Sequence, residues 1–516
     1  MVSSVIKEKV FLAKVNEEIA SYDDNNDEKS SLDLDKNLEF IKHFDSKANL
    51  EEVSDRVITK KLDKIFILPM TIVYTLQFLD KVSLNYAKVM GVTVELNFTG
   101  NQFSDLATYF FVAYIAAEFL QGFIIIPKFP VGLVLGVNVV IWGVTTMCCA
   151  APTSFRGLLA VRILLGISEA AVVPCLTLIT TNFYTKSEGS FRIGLWYSGL
   201  GFGQIIGGIL SYLFQLVSPS AAVSGWRILF LVVGAANIVA GIYVCFFIPS
   251  SPLETKQLTP KEKYVLLMKL SSEKIGVGNN KVSILQIFEL IRDVQAWLLL
   301  LISATISFSS NTISTFSATD IISFGFTSKE AALLNIPSGL VSVLSSWIST
   351  FLIMKGVPRY LAISVLLIPA VCGGALMSFL PKTNKAGLLI GIYMINTVTP
   401  PLAICYSWAG ANFAGSTKKV GSTAVFICVG FALGNIVGPQ SYRVEDSPNY
   451  YPAKISMLVT QAVSILLALI IAGIYYRRNR IRDKSLSNEA SNENEELETV
   501  WADLTDFQNK SFRYSY

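Results

Sequence analysis

Between Ala160 and Pro174 the chain reads AVRILLGISEAAVVP, apolar enough for a bilayer interior yet carrying Arg162 and Glu169. Seven positions at a helical rise of 1.5 Å per residue set the two about 10 Å apart on nearly one face. A charge at membrane depth costs about 2.5 kcal/mol or more, so opposite charges on one face point to a polar cavity or to a structural ion pair with neighbouring helices. Asp80 and Lys81 in LQFLDKVSLNYAKVMG, and Glu118 in AYIAAEFLQG, are further ionisable residues in apolar surroundings. Such acids and bases can hold protons and a small charged solute; Glu118 fits a plain polar contact between helices equally well. The one histidine, His43, lies in the polar N-terminal segment and offers no imidazole to an intramembrane relay.

These residues must be positioned by membrane-spanning helices. Of 516 residues, 52% are hydrophobic and 16% charged, the balance of an all-α polytopic membrane protein. The net charge of +4 falls between apolar blocks, so no nucleic-acid partner is expected. The seven cysteines lie in apolar segments without CxxC or Cys/His spacing and read as buried hydrophobes, with no metal site implied. No GxxxxGK[ST] loop marks an ATP-driven pump, and no nucleophile, metal or cofactor constellation marks an enzyme. A nutrient sensor that kept a transporter fold is the reading from another class. Loss of Asp80 or Glu169 would have favoured it, and both are present.

Windows of about 20 apolar residues predict twelve spans: 64–90, 105–127, 130–150, 155–183, 190–217, 227–249, 295–321, 331–354, 359–380, 386–411, 420–441 and 453–476. The polar stretch 250–294 separates a six-helix bundle at 64–249 from another at 295–476, flanked by polar segments 1–63 and 477–516. Segment 1–63 lacks the apolar core of a cleavable signal peptide. Lys60, Lys61, Lys64, Lys186, Arg192, Lys418, Lys419 and RRNRIRDK put both termini and the linker in the cytosol. The sequon Asn97-Phe98-Thr99 then falls in the first external loop, a short one for glycosylation.

An internal repeat supports two pseudo-repeated halves. GLGFGQIIGG from Gly199 matches GFALGNIVGP from Gly430, and Asn182-Phe183 matches Asn412-Phe413 at almost the same offset. The glycines read as helix-packing surfaces; Gln204 and Asn435 face either a partner helix or a cavity. The same offset sets Asp80 near Asn311 and Glu169 near Asn396, so charge chemistry concentrates in the first half. Asp320 ends span seven and is expected at the interface. The acidic, polar tail from Asp483 onward is expected to be disordered or weakly docked.

FLDKVSLNYA, RILLGISEAAVVP, SGWRILFLVVG, SWAGANFAGSTKK, GNIVGPQ and DLTDFQNKSFRY together resemble the fungal allantoate permease family, within the anion:cation symporters of the major facilitator superfamily. The resemblance runs from about Lys64 to Tyr516. It departs at PKFPVGLVLG, a poor match to the superfamily's GxLaDrxGrk motif, whose role is not carried over. It implies a proton-coupled symporter of small organic anions or zwitterions, with two bundles rocking about a midplane site in the bilayer; a monomer is expected. Asp80, Lys81, Arg162 and Glu169 match the acid-base pairs of spans one and four that bind substrate and protons in bacterial members; the span-one base is commonly Arg, where this chain has Lys81. Substrate contacts are expected from Lys81, Arg162, Gln204, Asn311 and Asn412, and proton coupling from Asp80, Glu169 and Glu118. The family's range covers allantoate, ureidosuccinate, vitamins such as pantothenate, biotin and nicotinate, and sulfur amino acids. The plasma membrane is the expected location, with endoplasmic reticulum or vacuole as alternatives; exchange or uniport is the alternative to symport.

Overall fold

A computed structural model describes residues 55–126, 128–218, 221–274, 283–486, 504–509 and 512–516, and among them there are helices and no strands. His43 and the acidic run at 23–37 lie outside the described residues. Among the described residues, eleven helices are long and apolar enough to cross a membrane. In chain order the first six are α1 (Asp55–Val89), α2 (Gln102–Leu120), α3 (Val131–Cys148), α4 (Phe155–Phe183), α5 (Phe191–Phe214) and α6 (Gly225–Phe247). The later ones are α7 (Val294–Ser323), α8 (Ser328–Met354), α9 (Arg359–Phe379), α10 (Lys385–Asn412) and α12 (Tyr451–Leu486). The span expected at 420–441 is not one long α-helix: a short helix Ser416–Gly421 runs through the π-helical turn Ser422–Ile427 into α11 (Cys428–Gln440). A π-turn inserts an extra residue in the hydrogen-bond ladder and re-aims the side chains beyond it.

α1 begins nine residues before its expected start at 64, and at 35 residues is about 50 Å long, well beyond a hydrocarbon core of about 30 Å. α12 likewise continues ten residues past 476. The polar linker is not featureless. It carries the helices Pro260–Lys274 and Ile284–Arg292.

Three helix breaks matter here. α4 stops being regular immediately after Glu169 and resumes at Val172, because Pro174 has no N–H to offer the Ala170 carbonyl one turn back. At the matching place α10 is interrupted by Asn396–Val398, ahead of Pro400 and Pro401. α8 breaks at Asn335, two residues before Pro337.

α1–α6 share one hydrophobic core containing Phe66, Phe110, Trp142, Leu165 and Phe230; α7–α12 are built on clusters around Ile302, Trp408 and Tyr475 and around Ile313 and Ile392. The two sets meet chiefly through α5 against α8 and α2 against α11. Close approach of α5 and α8 depends on paired glycines, since a Cβ on Gly339 would lie 2.6 Å from the Gly201 carbonyl oxygen. Within the first set Gly166 does the same for α4 against α2, where a Cβ would lie 2.5 Å from the Phe110 carbonyl oxygen.

Candidate functional site

Between α1 and α4 the four charges form two cross-links. Lys81 Nζ lies 3.1 Å from Glu169 Oε1, and Arg162 Nη1 lies 3.9 Å from Asp80 Oδ2. Adjacent residues on a helix point about 100° apart, so Asp80 and Lys81 reach different partners from one level of α1. Arg162 and Glu169 share a face of α4, as their spacing requires, yet each pairs with α1 rather than with the other.

The two cross-links sit in different surroundings. The Asp80 and Arg162 side chains are 0% and 3% exposed, beside the Trp142 indole and Thr146 hydroxyl of α3, with the guanidinium 5.1 Å from the centre of the Phe230 ring. Both carboxylate oxygens of Asp80, and Nε and Nη2 of Arg162, have no hydrogen-bond partner among the described residues. Lys81 is 20% exposed while Glu169 is fully buried. Its ammonium lies 5.7 Å from the Phe111 ring centre and 5.4 Å from that of Tyr114, positions that stabilise a cation beside an aromatic face. Glu118, one turn beyond Tyr114 on α2, is half-buried and close enough to act electrostatically on Lys81.

Gln77, one turn before Lys81, was not singled out from sequence. It is 1% exposed, neighbours Glu169 and Tyr114, and neither of its amide atoms is satisfied. Its signal was available: a polar residue four positions before Lys81 shares a helix face with it.

The amide candidates go elsewhere. Gln204 Nε2 donates to Asn335 Oδ1 of α8 at 3.1 Å, so this residue faces the partner helix. Asn311 Nδ2 donates to the Asn435 carbonyl at 2.7 Å and its Oδ1 accepts from Thr315 at 3.3 Å, so Asn311 ties α7 to α11. Asn412 lies at the linker end of α10, where its amide is occupied by Ser515 of the tail at 2.9 and 2.6 Å, and it is not part of the charged cluster. Asp320, near the end of α7, is fully buried within the protein. It accepts a hydrogen bond from Tyr442 Oη at 2.5 Å and faces Lys454 Nζ at 3.7 Å.

At the end opposite the linker the sets are joined by polar contacts at two seams. Asn335 donates to Tyr86 Oη at 3.1 Å and to Ser317 Oγ at 2.8 Å, Tyr86 donates to the Gln204 carbonyl at 3.3 Å, and Asn85 donates to Ser317 Oγ at 2.9 Å. Gln440 of α11 donates to Asp105 and Thr108 of α2 at 3.2 and 2.9 Å. Lys88 lies between the rings of Phe103 and Phe316, 4.5 and 4.6 Å from their centres. This end is closed.

Two repeated sets of packed helices, with acids and bases paired between α1 and α4 of the first set and apolar outer faces, define a polytopic membrane transporter. Residues 70–439 match the Major Facilitator Superfamily, and the chain belongs to that superfamily, in its allantoate permease branch. It is 35% identical to the thiamine pathway transporter THI73 of Saccharomyces cerevisiae over 90% of this chain and 87% of that one. It is 32% identical to the allantoate permease of the same yeast over 89% of this chain and 86% of that one. A bacterial homologue of the human lysosomal transporter Spinster shares the fold, with a TM-score of 0.55 and 18% identity over 80% of this chain and 96% of that one. So does the nucleoside transporter NupG, with a TM-score of 0.54 and 14% identity over 79% and 99%.

Proposed function

We propose that the protein is a proton-coupled symporter of a small organic anion, working by alternating access between the two sets of helices. The observation that carries this reading is the Lys81–Glu169 pair, in which the base is 20% exposed and the acid fully buried. While Glu169 is ionised it holds the ammonium; once protonated it releases that ammonium to a substrate carboxylate. Proton and anion then raise each other's affinity by one coupling energy, typically about 1–3 kcal/mol. Asp80 and Arg162 form the second, drier pair, which on protonation of Asp80 frees a guanidinium for the same carboxylate. With both acids ionised the four groups are neutral, and with one protonated they carry +1, so a monoanion is the solute that the cluster favours. The name of the yeast relative agrees in charge, since allantoate is a carboxylate.

The linker end, with its lysines and arginines, belongs in the cytosol by the positive-inside rule, in the plasma membrane. The reading is tested in proteoliposomes offered labelled allantoate and a panel of other carboxylates, with an acidic exterior imposed. Accumulation above equilibrium that a protonophore abolishes is the expected result. Uptake of a transported carboxylate at the same rate and extent with and without the gradient would leave uniport or exchange instead.

A further inference from the structure

The chain's end is not loose. Residues 504–509 and 512–516 lie across the linker end of α7–α12, in a site built for an extended peptide. Asn479 of α12 pairs both backbone groups of Tyr514, donating to its carbonyl at 2.9 Å and accepting from its N–H at 3.0 Å. Asn412 of α10 does the same for Ser515, at 2.9 and 2.6 Å, with the Trp408 indole adding a third bond to that carbonyl at 3.0 Å. Arg359 of α9 donates from its backbone N–H to the Tyr516 carbonyl at 2.7 Å and from its guanidinium to Ser515 Oγ at 2.7 Å. Tyr514 stacks on Tyr475 with centres 5.1 Å apart.

Upstream, Thr505 and Asp506 are fully buried. Thr505 Oγ1 donates to Glu289 at 3.0 Å, and Asp506 reaches Lys418 Nζ at 2.7 Å. Lys418 is itself fully buried and also meets Glu289 at 2.7 Å and Asp293 at 3.1 Å. The tail therefore touches the feet of α7, α9, α10 and α12 and the segment entering α11. The other set has a counterpart. After α6, the helix Pro260–Lys274 crosses the feet of α1 and α5, through Glu262 to Lys61 at 2.6 Å and Lys269 to Glu188 at 2.9 Å. Each set is thus bound at its base by the segment that follows its last span.

We propose that residues 504–516 act as a detachable peptide ligand of this surface, and that their docking sets the rigidity of the α10–α11 junction, where they hold Asn412 and Lys418. Shared hydrogen bonds at five helix feet convert separate ends into one body that moves as a unit. A carboxylate introduced at Thr505 would face Glu289 and loosen the segment, which gives it a charge-controlled release point.

The test uses purified protein and needs no substrate. A chain lacking residues 504–516 is mixed with a fluorescent synthetic peptide of that sequence, and hydrogen exchange is followed at residues 401–421. The shortened chain is expected to bind the peptide saturably and the full chain not, because its site is filled. Asn412→Ala and Asn479→Ala in the shortened chain should each weaken binding about 10-fold, the loss of a paired hydrogen-bond clamp. Exchange at 401–421 should quicken about 10-fold on shortening and recover with peptide, while residues 155–183 stay unchanged. A monodisperse shortened chain that binds no peptide, or exchanges at 401–421 like the full chain, overturns the proposal. Should shortening prevent folding, full-length Thr505→Glu must exchange faster there than Thr505→Val; equal rates overturn it as well.

Discussion

Lys81 Nζ and Glu169 Oε1 stand 3.1 Å apart across α1 and α4, at the point where α4 loses its regular hydrogen bonding. At an effective dielectric of about 20 such a pair attracts by about 4–5 kcal/mol, offset by the desolvation of both groups. The interaction is therefore strong enough to withhold Lys81 from a solute and weak enough to be surrendered when Glu169 takes a proton.

Glu169→Gln should behave as the permanently protonated carrier. Carboxylate affinity should lose the part of its pH dependence that Glu169 supplies, keeping only that of Asp80, and at neutral pH should exceed that of the parent. Exchange should persist while gradient-driven accumulation is lost. Binding titrations between pH 5 and 8, paired with uptake and exchange assays, check this; accumulation at the parent level would remove Glu169 from coupling.

The Asp80–Arg162 pair predicts a different outcome, because neither partner has water to fall back on. Asp80→Asn leaves a guanidinium that is 3% exposed without its counter-charge, a loss of about 3–5 kcal/mol. The melting temperature in detergent should fall clearly. Replacing both partners, as Asp80→Leu with Arg162→Met, should recover most of the stability and none of the transport. A double variant that melts no higher than Asp80→Asn would show that the charges do not support each other.

Much of this was readable in advance, for identifiable reasons. Apolar windows locate helical segments at all twelve expected places, eleven of them as long single helices, because a bilayer constrains length and composition so strongly; at 420–441 the chain is helical but wound through the π-turn at Ser422–Ile427, a local choice that hydropathy does not encode. Spacing put Arg162 and Glu169 on one face of α4. It left open which base serves which acid, since that depends on the azimuth and height of α1, set by side-chain packing between helices. Asn412 and Asn182 match in the repeat, and that match records shared helix ends rather than a shared cavity. The docking of the tail was hard to read for a related reason: its acidic, polar composition gives no sign that Tyr514 joins the hydrophobic cluster at Tyr475 or that Asp506 and Ser515 meet charged and amide groups on the helix feet.

The helix Pro260–Lys274 should detach from the first set in acid. Burial alone would raise the pKa of Glu188, but the ammonium of Lys269 and the bonds from Thr185 outweigh it and hold the carboxyl below its ordinary 4.5. Glu262 is likewise held down, by Lys61 and Thr259 against the effect of burial. A depressed folded-state pKa contributes stability above the unfolded value, and that contribution disappears as pH falls through the folded value. Docking should thus be intact at pH 6 and weaken progressively below about pH 4.5. Hydrogen exchange at 260–274, corrected for its intrinsic pH dependence, measures this. Glu262→Gln should shed protection already at pH 6, and unchanged protection in that variant would exclude the ion pair as the fastening.

Asn335 should govern how readily the closed end opens. It occupies the break in α8 and joins Gln204, Tyr86 and Ser317, which come from α5, α1 and α7, with bonds of 2.8–3.1 Å. Opening that end must part α5 from α8 and α1 from α7, and each of these polar groups is buried while the network is made. Asn335→Ala deletes the hub and strands its partners, which costs the closed form about 1–3 kcal/mol and raises the open population about 5- to 100-fold. Because the network acts as one unit, adding Gln204→Ala should change little more. A cysteine at Ser104, 3% exposed at the closed α2–α11 seam, reports the change. Its labelling by a membrane-impermeant maleimide should rise by a similar factor in Asn335→Ala, with labelling of the denatured protein as the reference. Labelling at position 104 that does not respond to Asn335→Ala would mean that α2 and α11, through Gln440, Asp105 and Thr108, hold this end shut without the network.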